Sequence, residues 1–251
     1  MPFLDLHGVR VRYRRAGSGP PVLLVHGAGG SSAMWIGVCR RFARSHVLFA
    51  PDLPGHGRSG GETRSFDDIV QAVGAFAAAA GLGRAILVGH SLGGLVALEA
   101  ALRWPDKIAG LVLVTTAARL KVSPRLFARI DDEWPRWHAA MAELAHSPDT
   151  PETTRRRSAA IGFPSAQAQT RADFVACGEL DATPRLGEIR APALVVSGAD
   201  DLLVPPARGT ALAEGLRAPH VVLPRCGHFP MHERPDAFHE AISNGFRAFG
   251  H

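Results

Sequence analysis

Hydrophobic positions along the chain follow two rhythms. Short, nearly continuous apolar runs recur as VLLVH at 22–26, HVLFA at 46–50, RAILV at 84–88, LVLV at 111–114, ALVVS at 193–197 and HVVLP at 220–224, the character of strands buried on both faces. VRVRYRR at 9–15, ahead of GSGPP, instead alternates apolar and polar residues, which predicts a half-exposed strand ending in a turn. Between the runs, helical spacing covers roughly Phe66–Ala80, Leu92–Trp104, Pro206–Arg217 and Pro235–Phe249. Ser65 or Asp67 is positioned to cap the first of these helices, and Pro105 to stop the second. Buried strands alternating with helices predict an α/β fold whose mostly parallel central sheet is flanked by helices.

One interval breaks this alternation. From about Arg119 to Arg190 no strand pattern occurs, and the segment carries amphipathic stretches such as RLFARIDDEWPRWHAAMAELAH, punctuated by Pro135, Pro148, Pro151 and Pro164. Its ends fall between two strands of the sheet, so a helical insertion over 119–190 is expected to cover one end of a core formed by 1–118 and 191–251.

Composition narrows the function classes. The 251 residues are 46% hydrophobic and 20% charged, ample for a large hydrophobic core. No apolar run reaches the roughly 20 residues of a membrane-spanning helix, and MPFLDLHGVR has neither a basic lead nor an apolar signal core. Membrane insertion is therefore not expected, and the cytoplasm is the expected compartment. The net charge of +5 raises the question of an acidic partner, yet the arginines are scattered and the one dense run, Arg155-Arg156-Arg157, has no neighbouring aromatics on which bases could stack. A nucleic-acid partner is not expected. Cys39, Cys177 and Cys226 are odd in number and far apart, which supplies neither a disulfide framework nor zinc-site spacing.

The chemistry concentrates at GHSLGG, residues 89–94, where an apolar strand pattern gives way to a helical one. Gly89-His90-Ser91-Leu92-Gly93 is G-x-S-x-G, which sets a serine on a tight turn at the carboxyl edge of a parallel sheet. The helix behind it directs free N–H groups towards developing anions. A serine hydroxyl needs a base and a group to orient that base. His228 follows the last apolar run and so lies on the same sheet edge, while Asp200 and Asp201 follow the run before it; spacing alone does not choose between them. The order serine, acid, histidine agrees with an α/β-hydrolase arrangement.

These motifs together resemble the α/β-hydrolase fold family, and in particular its serine esterase and lipase-like members with a helical cap, over nearly the whole chain. VLLVHGAGGSSAMW resembles that family's oxyanion segment, PDLPGHGRS the loop after the next strand, VGHSLGG the nucleophile turn and CGHFPMHERPDAF the histidine loop. The resemblance implies an α/β-hydrolase fold with an inserted cap, and a catalytic triad of Ser91, Asp201 and His228, with Asp201 selected by the match of Gly198 to Asp201 followed by Val204-Pro205. It also implies an oxyanion hole made by the backbone N–H groups of Ala28 and Leu92. His26 and His56 are expected to hold the oxyanion loop and its neighbour, and His90 and His232 the nucleophile turn and histidine loop. Asp52, His56 and their neighbours lack the dense cluster of a zinc or two-metal site, so neither metal nor cofactor is expected.

The implied reaction is hydrolysis of a small-molecule carboxylic ester through an acyl-enzyme. Carbon–carbon bond hydrolysis of a vinylogous diketone, lactone cleavage and perhydrolysis share the same apparatus. Relatives acting on diketones commonly carry asparagine before the serine, where this chain has His90. A hydrolase-like small-molecule receptor is a further alternative, although such receptors often lose a member of the triad. For the substrate pocket the candidates are Trp35, Phe127, Trp134, Trp137, Met141 and Phe229, with Phe163 and Phe174 also in the insertion, and Arg125, Arg129 or Arg136 as conceivable anion contacts.

Overall fold

The apolar runs lie side by side in one sheet. The computed structural model describes residues 2–250 and contains eight strands: β1 (Phe3–Leu6), β2 (Val9–Ala16), β3 (Pro21–Val25), β4 (Val47–Pro51), β5 (Ala85–His90), β6 (Ile108–Val114), β7 (Ala193–Gly198) and β8 (His220–Leu223). Their order is β1-β2-β4-β3-β5-β6-β7-β8. β1, β2 and β4 pair antiparallel, and β4, β3, β5, β6, β7 and β8 run parallel. Register pairs such as Val22 with Ile86 and Val112 with Leu194 bring apolar residues together on neighbouring strands. β5, β6 and β7 are buried along their whole length, as continuous Val/Ile/Leu runs require.

Two strands depart from the pattern read in the sequence. HVVLP matches the other apolar runs in composition, but β8 lies at one edge of the sheet, and Val222 is 43% exposed. β1 has no counterpart among the apolar runs; it pairs with β2 through a two-residue turn in which His7 (φ 54°) and Gly8 (φ 89°) both adopt positive φ. Paired positive φ values give the turn the twist that a hairpin needs, and His-Gly is an uncommon way to write it.

The described residues hold ten α-helices besides four short 3-10 turns: α1 (Ile36–Phe42), α2 (Phe66–Ala79), α3 (Leu92–Arg103), α4 (Pro124–Asp132), α5 (Trp137–Leu144), α6 (Glu152–Gly162), α7 (Gln167–Ala176), α8 (Pro206–Leu216), α9 (Pro230–Glu233) and α10 (Pro235–Ala248). α1 meets α10, and α2 meets α3, so helices flank the sheet. Ser65 rather than Asp67 caps α2, in a reciprocal box with Asp68: each side chain accepts the other residue's N–H at 3.1 Å. α3 ends just before Pro105, whose ring cannot continue it.

Helices α4–α7 lie between β6 and β7. On either side of these helices Arg119 and Asp181 form an isolated bridge, reinforced by an ion pair of 3.3 Å between their side chains and by the Ala182 N–H donating to the Ala118 carbonyl at 2.9 Å. Among the described residues no helix is long and apolar enough to cross a membrane.

Candidate active site

Ser91 occupies the corner between β5 and α3 with φ 53° and ψ −118°, a conformation that costs a non-glycine residue about 1–3 kcal/mol. The surroundings hold it there. Its N–H donates to the Val114 carbonyl at 2.9 Å, and its own carbonyl accepts the Gly94 N–H and the Thr116 hydroxyl, each at 2.8 Å. The flanking glycines are sterically required, because a Cβ on Gly89 would overlap the backbone of Gly93 and Gly94, and one on Gly93 would overlap the Val25 and His26 carbonyls.

His228 lies in the loop after β8, and its Nδ1 is 2.7 Å from Oδ2 of Asp201. Both side chains are almost wholly buried, at 3% and 2% exposed. The second carboxylate oxygen of Asp201 accepts the N–H groups of Leu203 and Val204 at 2.9 Å. An ionised carboxylate only accepts, so Nδ1 of His228 carries a proton, and in the neutral imidazole Nε2 is the acceptor. Asp200 turns elsewhere, taking the Ser147 hydroxyl at 2.6 Å.

The histidine loop is fixed from three sides. The His228 carbonyl accepts Nε2–H of His90 at 2.9 Å and the Thr115 hydroxyl at 3.0 Å, and its N–H donates to the Ala145 carbonyl at 2.8 Å. Glu233 receives the N–H groups of Gly227 and Phe229 on either side of His228, together with the Ser147 N–H and the Thr150 hydroxyl from the segment between β6 and β7. Burial and the neighbouring His228 push His90 well below the ordinary histidine range, and burial pushes His232 down to about 4. His232 holds the histidine loop to the segment after β3, donating Nε2–H to the Met34 carbonyl at 3.3 Å and accepting the Ser158 hydroxyl at Nδ1, 2.8 Å away.

The turn at Gly27–Gly30, closed by a 3.1 Å bond from the Gly30 N–H to the Gly27 carbonyl, sets Gly27 against Ser91 and carries Ala28 on the wall of the cavity that Ser91 lines. Neither the Ala28 nor the Leu92 N–H has a hydrogen-bond partner among the described residues; Leu92 opens α3, where the first N–H groups lack intrahelical acceptors. His26 accepts the Leu53 N–H at Nε2 (3.1 Å), so its Nδ1–H donates to the Gly27 carbonyl (2.9 Å). Burial, with the cationic His56 alongside, lowers His26 to about 4 and keeps it neutral. His56 donates from Nδ1 to the Pro54 carbonyl at 3.0 Å and from Nε2 to Asp173 at 2.6 Å. Burial alone would lower the His56 pKa, but the charge and hydrogen bond of Asp173 outweigh it and leave the pKa raised. Asp173, on α7, also takes the Gly29 N–H at 2.7 Å. Its place in the site is invisible in sequence, because RADFVAC reads as an ordinary amphipathic helix and its partner lies 117 residues away.

Ser91, His228, Gly27, Ala28 and His90 line one cavity of about 470 Å³, whose walls come from the segment 120–129, from Leu144, Gly162, Phe163, Phe174 and Cys177, from Leu202–Pro205 and Arg208, and from Phe229. Of the aromatic and methionine pocket candidates, Phe229 lines this cavity, as do Phe163 and Phe174. Trp35, Phe127, Trp134, Trp137 and Met141 are not among its walls. Trp35 is fully buried in the core. Trp137 packs edge-on against Phe163 and Phe174 with Met141 buried nearby, Trp134 stacks on Trp137, and Phe127 lies under the Arg171 guanidinium. Helical spacing marks these residues as apolar without saying which helix face meets the cavity. Arg125 and Arg129 reach it, and Arg136 does not. Among the described residues no group of three or more His, Cys, Asp or Glu side chains is arranged to hold a metal ion.

A sheet of this order, with a serine on a strained strand-to-helix corner and a histidine–aspartate pair at the same edge, defines an α/β-hydrolase fold. Residues 22–241 match the alpha/beta hydrolase family, and the chain belongs to it. It is 34% identical to the pimeloyl-[acyl-carrier protein] methyl ester esterase of Chromobacterium violaceum over 252 residues, covering 90% of this chain and 94% of that protein. An uncharacterized protein of Mycobacterium tuberculosis is 37% identical over 123 residues, or 48% of this chain, and the match spans only 36% of that relative's length. A thermophilic esterase from Thermogutta terrifontis, with malate bound, superposes with a TM-score of 0.88 at 26% identity, covering 99% of this chain and 98% of that one.

Proposed function

We propose that the protein is a serine hydrolase that cleaves a small-molecule carboxylic ester through an acyl-enzyme. The observation that carries this reading is the 2.7 Å bond from His228 to Asp201 at a cavity it shares with Ser91 and the unpartnered Ala28 N–H. Ser91 Oγ attacks the ester carbonyl, and His228 Nε2 takes its proton and returns it to the departing alcohol. Asp201 holds the imidazole in the required tautomer, and the Ala28 and Leu92 N–H groups receive the oxyanion. Water then attacks the acyl-enzyme with His228 again as base, releasing the acid. Residues 119–190 serve as the cap over 1–118 and 191–251, since the segment supplies much of the cavity wall. The two esterases compared above support ester cleavage in particular.

The test is hydrolysis of p-nitrophenyl butyrate by the full chain, with Ser91→Ala alongside and mass spectrometry of a fluorophosphonate adduct. The expected result is loss of at least about a thousandfold in kcat/KM in the folded variant, with the adduct on Ser91. A folded Ser91→Ala that keeps its rate, or an adduct elsewhere, rejects the mechanism. Cleavage of a vinylogous diketone far faster than any ester replaces the substrate class while keeping the serine.

A further inference from the structure

Every charged side chain on the cavity wall is cationic. Lys121, Arg125 and Arg129 approach from the segment that leads into and through α4, and Arg208 from α8, while no aspartate or glutamate is part of the lining. All four are exposed or half-buried, so they form the wet rim. Among the apolar walls Phe163, Phe174 and Phe229 are buried, while Leu202 stands at the exposed mouth.

Several arginines elsewhere in this chain have their charge offset by a carboxylate. Arg12, Arg103, Arg119, Arg156, Arg171 and Arg185 each meet a carboxylate. Lys121, Arg125 and Arg208 form no ion pair among the described residues, and Arg129 has only Glu133 of its own helix, at 3.4 Å. Two separate parts of the chain thus deliver three uncompensated positive charges, and a fourth shared with Glu133, to one opening. Their fields add within a Debye length of roughly 10 Å at 0.1 M salt and draw an anion towards an apolar chamber.

From this we infer that the substrate is an ester with an apolar body and an anionic far end, of which a carboxylate is the simplest, the ester lying at Ser91 and the anion at the Lys121–Arg125–Arg129–Arg208 rim. The inference rests on the ester-hydrolase reading for which end reacts. Guanidinium forks suit a carboxylate because both of its oxygens can be met at once. The reaction remains a hydrolysis: the acyl C–O bond breaks, water supplies hydroxide to the acyl carbon and a proton to the alcohol, and the distal anion passes through unchanged.

The experiment compares three methyl esters of equal length, ending in a carboxylate, a methyl group or a trimethylammonium group, at 20 mM and 500 mM salt. At low salt the expected order of kcat/KM is carboxylate, then neutral, then cationic, with about a tenfold advantage of the first over the second that shrinks at high salt. Combining Arg125→Gln with Arg208→Gln should reduce the carboxylate-to-neutral ratio severalfold, whereas Arg40→Gln with Arg44→Gln, which removes the same two charges away from the cavity, should leave the ratio as it is. Turnover of the neutral ester with a carboxylate-to-neutral ratio of one or less overturns the inference and leaves the hydrolase reading standing. If no ester is cleaved, that reading fails by itself, and calorimetry of octanoate with Ser91→Ala decides the inference: binding weakened by salt and by Arg125→Gln with Arg208→Gln supports it, and binding indifferent to both overturns it.

Discussion

Asp173 and His56 form a buried ion pair of 2.6 Å that joins α7 to the loop after β4, and the same Asp173 oxygen accepts the N–H of Gly29, next to Ala28. One carboxylate, 1% exposed, thus ties the segment between β6 and β7 to the turn that presents a candidate oxyanion donor. His56 donates from both ring nitrogens, so it is held as a cation.

Asp173→Asn should therefore harm both stability and rate. Removing one partner of a buried pair leaves the other uncompensated and costs about 3 kcal/mol. A loosened Gly29 shifts the Ala28 N–H, for which a loss of roughly tenfold in kcat is expected, a fraction of what deleting an oxyanion donor costs. Urea unfolding and kcat on folded protein check the two effects separately; an unaltered kcat would show that the pair is structural only. The His56 pKa is raised above its unfolded value, so the pair's contribution is complete below pH 6.5 and fades as the pH climbs through the folded value.

Asp201→Asn should lower kcat by roughly a thousandfold or more, because an amide can present its N–H to His228 Nδ1 and favour the wrong tautomer. Asp200→Asn keeps an acceptor for the Ser147 hydroxyl and should change kcat less than about threefold. Kinetics of the two single variants make the check; equal losses would refute the assignment of Asp201.

Gly93→Ala is expected to abolish the soluble fold, since the added carbon would lie 2.6 Å from the His26 carbonyl oxygen and closer still to that of Val25. Both obstacles are backbone, so no side chain can yield, and a cost of several kcal/mol follows. Gly83→Ala, where nothing lies within 4 Å, is the control and should leave the melting temperature within about 2 °C. Comparable melting of the two variants would show that the turn can relax.

The parallel strands were legible because their runs are continuous and bounded by glycine or proline, and the serine corner because its glycines are needed wherever β5, α3 and β3 converge. The β1–β2 hairpin was not, since its His-Gly turn carries a weak signal, nor was α1, seven residues that follow the Gly27–Trp35 segment without a break. Spacing left Asp200 and Asp201 equal; the resemblance preferred Asp201, whose carboxylate is the one against His228. The cavity wall was the least legible part. Trp137 and Met141 are as apolar as Phe163 and Phe174 and lie in the same insertion, yet only the latter two line the cavity. Pairings such as His56 with Asp173 depend on how the segment between β6 and β7 settles on the sheet, which no local pattern encodes.

The buried neutral histidines set an acid limit to stability. His232 and His26 each have a pKa near 4 against 6.5 for the unfolded chain. Between those values the unfolded state binds more protons, so stability falls as the pH drops from 6.5 towards 4, and it is fully present above 6.5. For His232, 2.5 pH units correspond to about 3 kcal/mol. His232→Gln should be less stable than the parent at pH 7, having lost the bonds to Ser158 and Met34, yet should lose less on acidification. Urea unfolding at pH 7.5, 6.5, 5.5 and 4.5 provides the measurement: a parent curve steeper than that of the variant is expected, and parallel curves would mean that His232 takes up its proton in the folded protein as readily as in the unfolded one.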